Sequence, residues 1–344
     1  MVTRSVLILT FHALAAIAQP PRLIPGGSIG TDWQPGAHGW MNFVAISSDG
    51  RAVAANGNIP GVPGGALGFW TFPAGEFLRS VAGGPSAISP DFRRLATGTD
   101  VQNLETGQNN FQVPSKTGIW THAAFSRTGE YVALVGGGNI GKGNHAQITV
   151  SETASGAVVS SFGTRYAAAV AFRPDNQTLA SGHWNNITLW NVRTGARLGL
   201  LMSPTRPVDP GGYNRDGRYI CGLEFSADGN LLAAGSDDGE LQIWDVTTRK
   251  LLHSLKIGWG DVSNPAFSPD GKLLAAGTYA NGTLSLVDVS SGAILSQIQV
   301  SMFGCGSVAF SPDGNYLIAP ANGGLLNDGR YEKGGTIRVF RVAR

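Results

Sequence analysis

An all-β fold built from repeated four-stranded units is the class this sequence predicts. Three observations carry that expectation. A phrase of the form Ala-Phe-Ser-Pro-Asp-Gly, intact or decayed, returns seven times along the 344 residues. The copies are followed by an apolar run and then an alternating segment, the marks of a buried strand and a half-buried one. Gly (49) and Pro (18) make about a fifth of the chain, and charged residues only 14%. That balance suits many tight turns between packed strands and opposes a helical bundle.

The rest of the composition excludes several classes. Lys+Arg at 25 against Asp+Glu at 23 leaves a net charge of +2. No basic footprint for nucleic acid or an anionic membrane follows from that. At 42% hydrophobic the chain can build a large core, so disorder is excluded.

Taken in order, the first element reads as a targeting segment. Arg4 precedes a mostly apolar stretch from Ser5 to Leu14, and Ala16-Ile17-Ala18 offers a cleavage site. This is the layout of a secretory signal peptide, with cleavage expected after Ala18. The run is too short to span a bilayer, and no other segment is long enough. The expected organisation is therefore a signal at 1–18 and one domain over 19–344, secreted or periplasmic, with no integral membrane segment after signal removal.

The repeats come next. The phrase reads Ala45 to Gly50, Ala87 to Asp91, Ala124 to Gly129, Ala171 to Asp175, Glu224 to Gly229, Ala266 to Gly271 and Ala309 to Gly314. Its Asp-equivalent positions are 49, 91, 128, 175, 228, 270 and 313, giving steps of 42, 37, 47, 53, 42 and 43. Each unit parses into strands a to d. Strand a ends in the phrase, and Pro-Asp-Gly makes the a–b turn. Strand b is an apolar run such as Leu231 to Gly235. Strand c alternates, as in Leu241 to Val246, and a Ser-Ser-Gly turn at 290–292 leads into a strand d at Ala293 to Ile298.

Four short strands repeating at this interval signify a β-propeller, here seven-bladed. The chain resembles the WD40-repeat family. The Trp-Asp pair is literal at Trp244-Asp245 and close at Trp190-Asn191 and Trp70-Thr71. The family's Gly-His dipeptide before strand a is absent. Gly182-His183 falls instead in a b–c turn, so the family's His–Asp–Ser–Trp hydrogen-bonded network is not expected. The resemblance implies a rigid interaction platform.

The chain ends on a strand c, Thr336 to Val342. Blade seven must then borrow its strand d from the N-terminal stretch Arg22 to Thr31. Closing the ring this way removes open sheet edges.

Strands alternate in direction within a blade, so a–b and c–d turns share one face. The b–c and d–a loops share the other, and nearly every insertion lies there: Asn56 to Ala66, Gly136 to Ala146, Leu201 to Arg215 and Ala321 to Gly335. One-sided insertions in a repeat array point to a binding face, against neutral drift in exposed loops. Trp40, Trp120, Tyr166, Tyr219, Trp259 and Phe303 each precede the anchor Phe, or its Ile equivalent, by 5 to 8 residues. They are candidate ligand-binding residues on that face; packing between blades is the alternative. Glu224 is a further candidate. It breaks a column of six alanines, and a carboxylate there must be paired, wet or shifted in pKa. A salt bridge to Arg173 or Arg218 is the structural alternative.

No catalytic residue is assigned, and no cofactor or metal is expected. His38, His122, His145 and His183 lack metal-ligand spacing, and Asp237-Asp238 with Asp261 lack a calcium-loop pattern. No phosphate-binding loop or nucleophile elbow appears. Cys221 and Cys305 could pair in an exported protein, although their blades are not neighbours. Asn176, Asn186 and Asn281 sit in Asn-x-Thr sequons. The expected function is a non-catalytic exported scaffold holding a protein or peptide on the b–c/d–a face. The alternatives on the same face are a lactonase- or lyase-like propeller enzyme and a carbohydrate-binding module.

Overall fold

The computed structural model describes residues 19–30, 41, 43–57, 66–84, 86–97, 100–113, 120–136, 146–164, 167–184, 186–203, 219–301, 304–322, 324–325, 331–332 and 335–344. They form seven four-stranded antiparallel sheets, the seven predicted blades of a β-propeller. Blade one holds Val44–Ile46, Ala52–Gly57, Ala66–Thr71 and Phe77–Ala82 as strands a to d. Blade two holds Ala87–Ile88, Arg94–Thr97, Asp100–Asn103 and Asn109–Gln112. Blade three holds Trp120–Phe125, Tyr131–Gly136, Ala146–Glu152 and Val158–Thr164, and blade four Ala169–Phe172, Thr178–Gly182, Asn186–Asn191 and Arg197–Met202. Blade five holds Ile220–Phe225, Leu231–Ser236, Glu240–Asp245 and Lys250–Lys256, and blade six Ala266–Phe267, Leu273–Gly277, Thr283–Asp288 and Ile294–Gln299. Blade seven takes Ala309–Phe310, Tyr316–Ala321 and Thr336–Ala343 from the C-terminal end.

Its fourth strand is Arg22–Ile29, as the missing strand d required. Arg22 pairs with Ala343, and the ladder runs to Ile29 opposite Ile337 with one bulge between Pro25 and Gly27. Leu23 and Ile29 are its buried residues. The ring is thus clasped by backbone hydrogen bonds between the two ends of the described chain.

The core is divided in a way the repeats explain. Seven clusters of buried apolar residues fill the seven gaps between neighbouring blades. A sheet buried on both faces needs apolar residues in both phases, which is why strands b read as unbroken runs. Tyr131–Gly136 and Leu273–Gly277 are buried at every position. Strands d alternate or lie open, as in Lys250–Lys256, because they form the outer rim.

The a–b turns are held by one device. In five blades the Ser hydroxyl donates to the Asp two residues on: Ser47 to Asp49, Ser89 to Asp91, Ser226 to Asp228, Ser268 to Asp270 and Ser311 to Asp313, at 2.5–2.6 Å. The same carboxylate oxygen accepts the N–H two positions further, from Arg51 through Asn315. At the other end of strand b a glycine makes room for the next blade. A Cβ on Gly235 would lie 2.0 Å from the Val262 carbonyl, and one on Gly277 would lie 2.4 Å from the Cys305 sulfur. That close approach, repeated at Gly182 against Ile220, accounts for the glycine near the end of strand b in blades four, five and six.

Some expectations shift. Asn56, Gly57, Gly136 and Ala321 belong to strands b, and Leu201 and Met202 to a strand d, so the insertions begin later than expected. Cys221 and Cys305 are both free thiols. Burial pushes the Cys305 thiol up to about 12. Residues 1–18 lie outside the described residues.

Candidate functional site

The strand bounds show where the chain grows. The wide gaps between strands run from Ile29 to Val44, Gly57 to Ala66, Gly136 to Ala146, Met202 to Ile220, Lys256 to Ala266, Gln299 to Ala309 and Ala321 to Thr336. All join a strand b to c or a strand d to a, so all leave one end of the ring. Within the last of them, Gly324–Leu325 pairs with Tyr331–Glu332 as a small hairpin.

Three of the six candidate aromatics, Trp40, Tyr166 and Phe303, lie outside the described residues. Trp120 opens strand a of blade three. Tyr219 sits just before strand a of blade five. Its N–H donates to the Asp237 carboxylate at 3.0 Å, and its ring meets Trp184 edge-on at 6.1 Å. Trp259 lies in the d–a connection between blades five and six and is 70% exposed. Lys256 Nζ stands 4.9 Å from its ring centre and also donates to the Asp238 carbonyl. The described aromatics are therefore not one cluster. Tyr219 packs into its surroundings, and Trp259 stands open.

Beside Trp259 is a groove of about 290 Å³, lined by Asn281, Thr283, Gln297 and the backbone at Ile257 and Gly258 as well as by Lys256. The connection carrying Trp259 is tied down by backbone bonds. The N–H of Ala280 donates to the Trp259 carbonyl at 3.1 Å, and that of Tyr279 to the Asp261 carbonyl at 2.9 Å.

Glu224 occupies the innermost strand of blade five. Its carboxyl accepts the N–H of Phe267, on the innermost strand of blade six, at 2.9 Å. Burial holds its pKa up to about 8, against smaller opposing effects from that bond and from Arg127. The expected bridge to Arg173 does not form. Arg173 Nε donates to the Gly229 carbonyl at 2.9 Å and its Nη1 lies 3.5 Å from Asp175. Arg218, the other proposed partner, is outside the described residues. Glu224 therefore links two inner strands around the axis through a backbone amide.

His38 and His145 lie outside the described residues. His122, on the inner strand of blade three, is pushed down to about 4 by burial, an effect the Asn264 side chain partly offsets. His183 refines an expectation: the four-group family network is not shown, but part of it has a counterpart. The Ser181 hydroxyl receives the Trp190 indole N–H at 2.7 Å and lies 2.7 Å from His183 Nε2. Three groups of the family network do assemble in blade four, with the histidine supplied from the b–c turn. Ser181 is fully buried, so this Ser–His contact is a packing relay and not an exposed nucleophile. Blade five uses another chain: Trp244 Nε1 donates to Gln242 at 3.1 Å, and Gln242 to Glu240 at 3.0 Å.

Asp237 and Asp261 have their pKa values raised, chiefly by burial. Among the described residues no group of three or more His, Cys, Asp or Glu is placed to hold a metal ion. No helix among them is long and apolar enough to cross a membrane.

Comparison with known proteins agrees with this architecture. The family profile described as "WD domain, G-beta repeat" matches residues 212–245 and 249–288. The small ribosomal subunit protein RACK1y of Oryza sativa is 30% identical over 118 residues, 33% of this chain and 31% of that protein. The antiviral protein SKI8 of Saccharomyces cerevisiae is 31% identical over 98 residues, covering 27% of this chain and 25% of its own length. An uncharacterized WD repeat-containing protein of Synechocystis is 28% identical over 163 residues, 46% of this chain and 41% of its own. The matches thus span less than half of these relatives.

Proposed function

We propose that this WD40-repeat propeller is a non-catalytic, exported scaffold that holds a protein or peptide on the face carrying its b–c and d–a connections. One observation carries the reading: every wide gap between strands opens at that end of the ring, while the a–b turns at the other end are built to one short pattern. A uniform ring gives a rigid base, and rigid bases commonly present binding residues on loops. The similarity to WD-repeat proteins supports the platform reading, and the site on that face has to carry the function.

Affinity capture with the full chain tests the face. Replacing 58–65 and 137–145 with short Gly-Ser links should abolish capture of a specific partner. Ser291→Arg, in a c–d turn on the opposite face, should leave it intact. The reverse pattern refutes the assignment. Export is tested separately by N-terminal sequencing of secreted protein, which should begin at Gln19; material beginning at Met1 refutes the signal.

A further inference from the structure

We infer that the groove between blades five and six binds a single pyranose ring of a neutral glycan, with Trp259 as its stacking platform. This inference goes beyond the scaffold reading and does not depend on it.

Trp259 is the first ground. An indole that is 70% exposed contributes little to the core, yet its position is closely defined. Its connection is bonded by backbone to the neighbouring b–c turn on both sides of Gly260, whose φ of +78° suits glycine. Lys256 sits 4.9 Å from the ring centre. A ligand therefore meets a backbone already held in place, which removes part of the entropic cost of binding.

The walls are the second ground. Gln297 Nε2 is committed to the Ile257 carbonyl at 2.8 Å and Ser285 Oγ at 3.0 Å, which turns its amide oxygen to the accepting role. Asn281 Oδ1 accepts the Thr278 hydroxyl at 2.5 Å, leaving its Nδ2 to donate. Thr283 adds a side chain that does both. Trp259 thus shares the lining of one groove of about 290 Å³ with oriented donors and acceptors, and with Lys256 over one face of its ring a ligand would stack on the other.

That combination selects a ligand class. A pyranose has a C–H face that packs on an aromatic ring and a rim of hydroxyls that both donate and accept. A peptide side chain of comparable size is better held by apolar walls on several sides. Lys256, the cation in the groove lining, is held over the Trp259 ring and gives one of its three donors to the Asp238 carbonyl, so the rest of the lining, which is uncharged, matches hydroxyls rather than a charge. The groove thus favours a neutral sugar.

The test uses the full chain with cellobiose, chitobiose, mannobiose and lactose, followed by saturation-transfer NMR and tryptophan fluorescence. At least one should bind with a Kd of about a millimolar, the scale expected for one shallow ring site. Trp259→Ala should weaken it at least about tenfold with an unchanged melting temperature, and Gln297→Ala or Asn281→Ala by about threefold or more. Trp259→Phe should retain part of the affinity. Absence of binding by all four sugars overturns the inference. So does binding that survives Trp259→Ala, or Trp259-dependent binding seen only with 3′-sialyllactose or an acidic peptide. Partner capture by the loop-replaced variants is read independently, so the scaffold reading can fail while this one stands.

Discussion

Glu224→Gln should make the protein more stable, and by an amount that grows with pH. The carboxyl is held near pKa 8 in the folded ring, against an ordinary value of 4.5. Between those values the folded state keeps a proton that the unfolded chain has released. Stability therefore falls as pH rises, by about 1.4 kcal/mol for each pH unit. The contribution of the neutral carboxyl is fully present below about pH 4.5 and is lost through about pH 8. Three and a half pH units set an upper bound of ~5 kcal/mol. Water at the exposed part of the side chain brings the expected figure to the order of 2–4 kcal/mol. Glutamine keeps the acceptor for the Phe267 N–H and removes the titration. Melting curves of both proteins from pH 4 to pH 9 should nearly coincide at the acid end, diverge from about pH 5 and keep a constant gap above about pH 8. The variant should lead by several degrees at pH 9. A constant gap across the range, or wild-type stability that does not decline above pH 5 relative to the variant, refutes the reasoning.

Four further outcomes are expected. Deleting 19–31 removes the clasping strand and should lower the melting temperature sharply, while Leu23→Ala, at a site 6% exposed, should cost about 2–4 kcal/mol in urea unfolding. Ser181→Ala leaves the Trp190 indole N–H without its acceptor and should cost about 1–3 kcal/mol; Trp190→Phe in that background should cost less than Trp190→Phe alone. The carboxyls of Asp49, Asp228 and Asp313 are held below the usual range chiefly by their Ser hydroxyls. Their stabilisation is present above the ordinary Asp value and lost as pH falls through the lowered one, so Asp228→Asn should flatten the acid limb of the unfolding curve. Alkylation of denatured protein without reductant should add two labels, one each at Cys221 and Cys305.

Much of the architecture was legible because each blade repeats the same local chemistry. The Ser–x–Asp turn and the glycine near the end of strand b make contacts between near neighbours in sequence, or between fixed positions of successive units. Even the closing strand followed from arithmetic, since seven repeats with six strands d of their own leave one partner owed. The site was less legible for a physical reason. Glu224 stood out by breaking its column, but its partner is a backbone amide, and no side-chain pattern marks a free N–H on another blade. His183 looked misplaced because the family position was taken as the only route to the indole, whereas a b–c turn reaches the same Ser hydroxyl. Tyr219 and Trp259 share a sequence offset without sharing an environment: Tyr219 has Trp184 for a neighbour, and Trp259 has Lys256 over its ring.

The strand Arg22–Ile29 has a consequence for biosynthesis. Its partner, Thr336–Ala343, is the last of the described strands to be made. At about 5–20 residues per second, roughly 300 residues of translation separate the two, an interval of about 15–60 s. Throughout that interval the segment exposes Leu23 and Ile29 with no ladder to join. Six blades can stack before the seventh is complete, so the ring closes in a docking event between Arg22–Ile29 and Thr336–Ala343. A segment kept waiting in this way is a natural client for a holding chaperone, and the same seam is where a finished ring would first come apart.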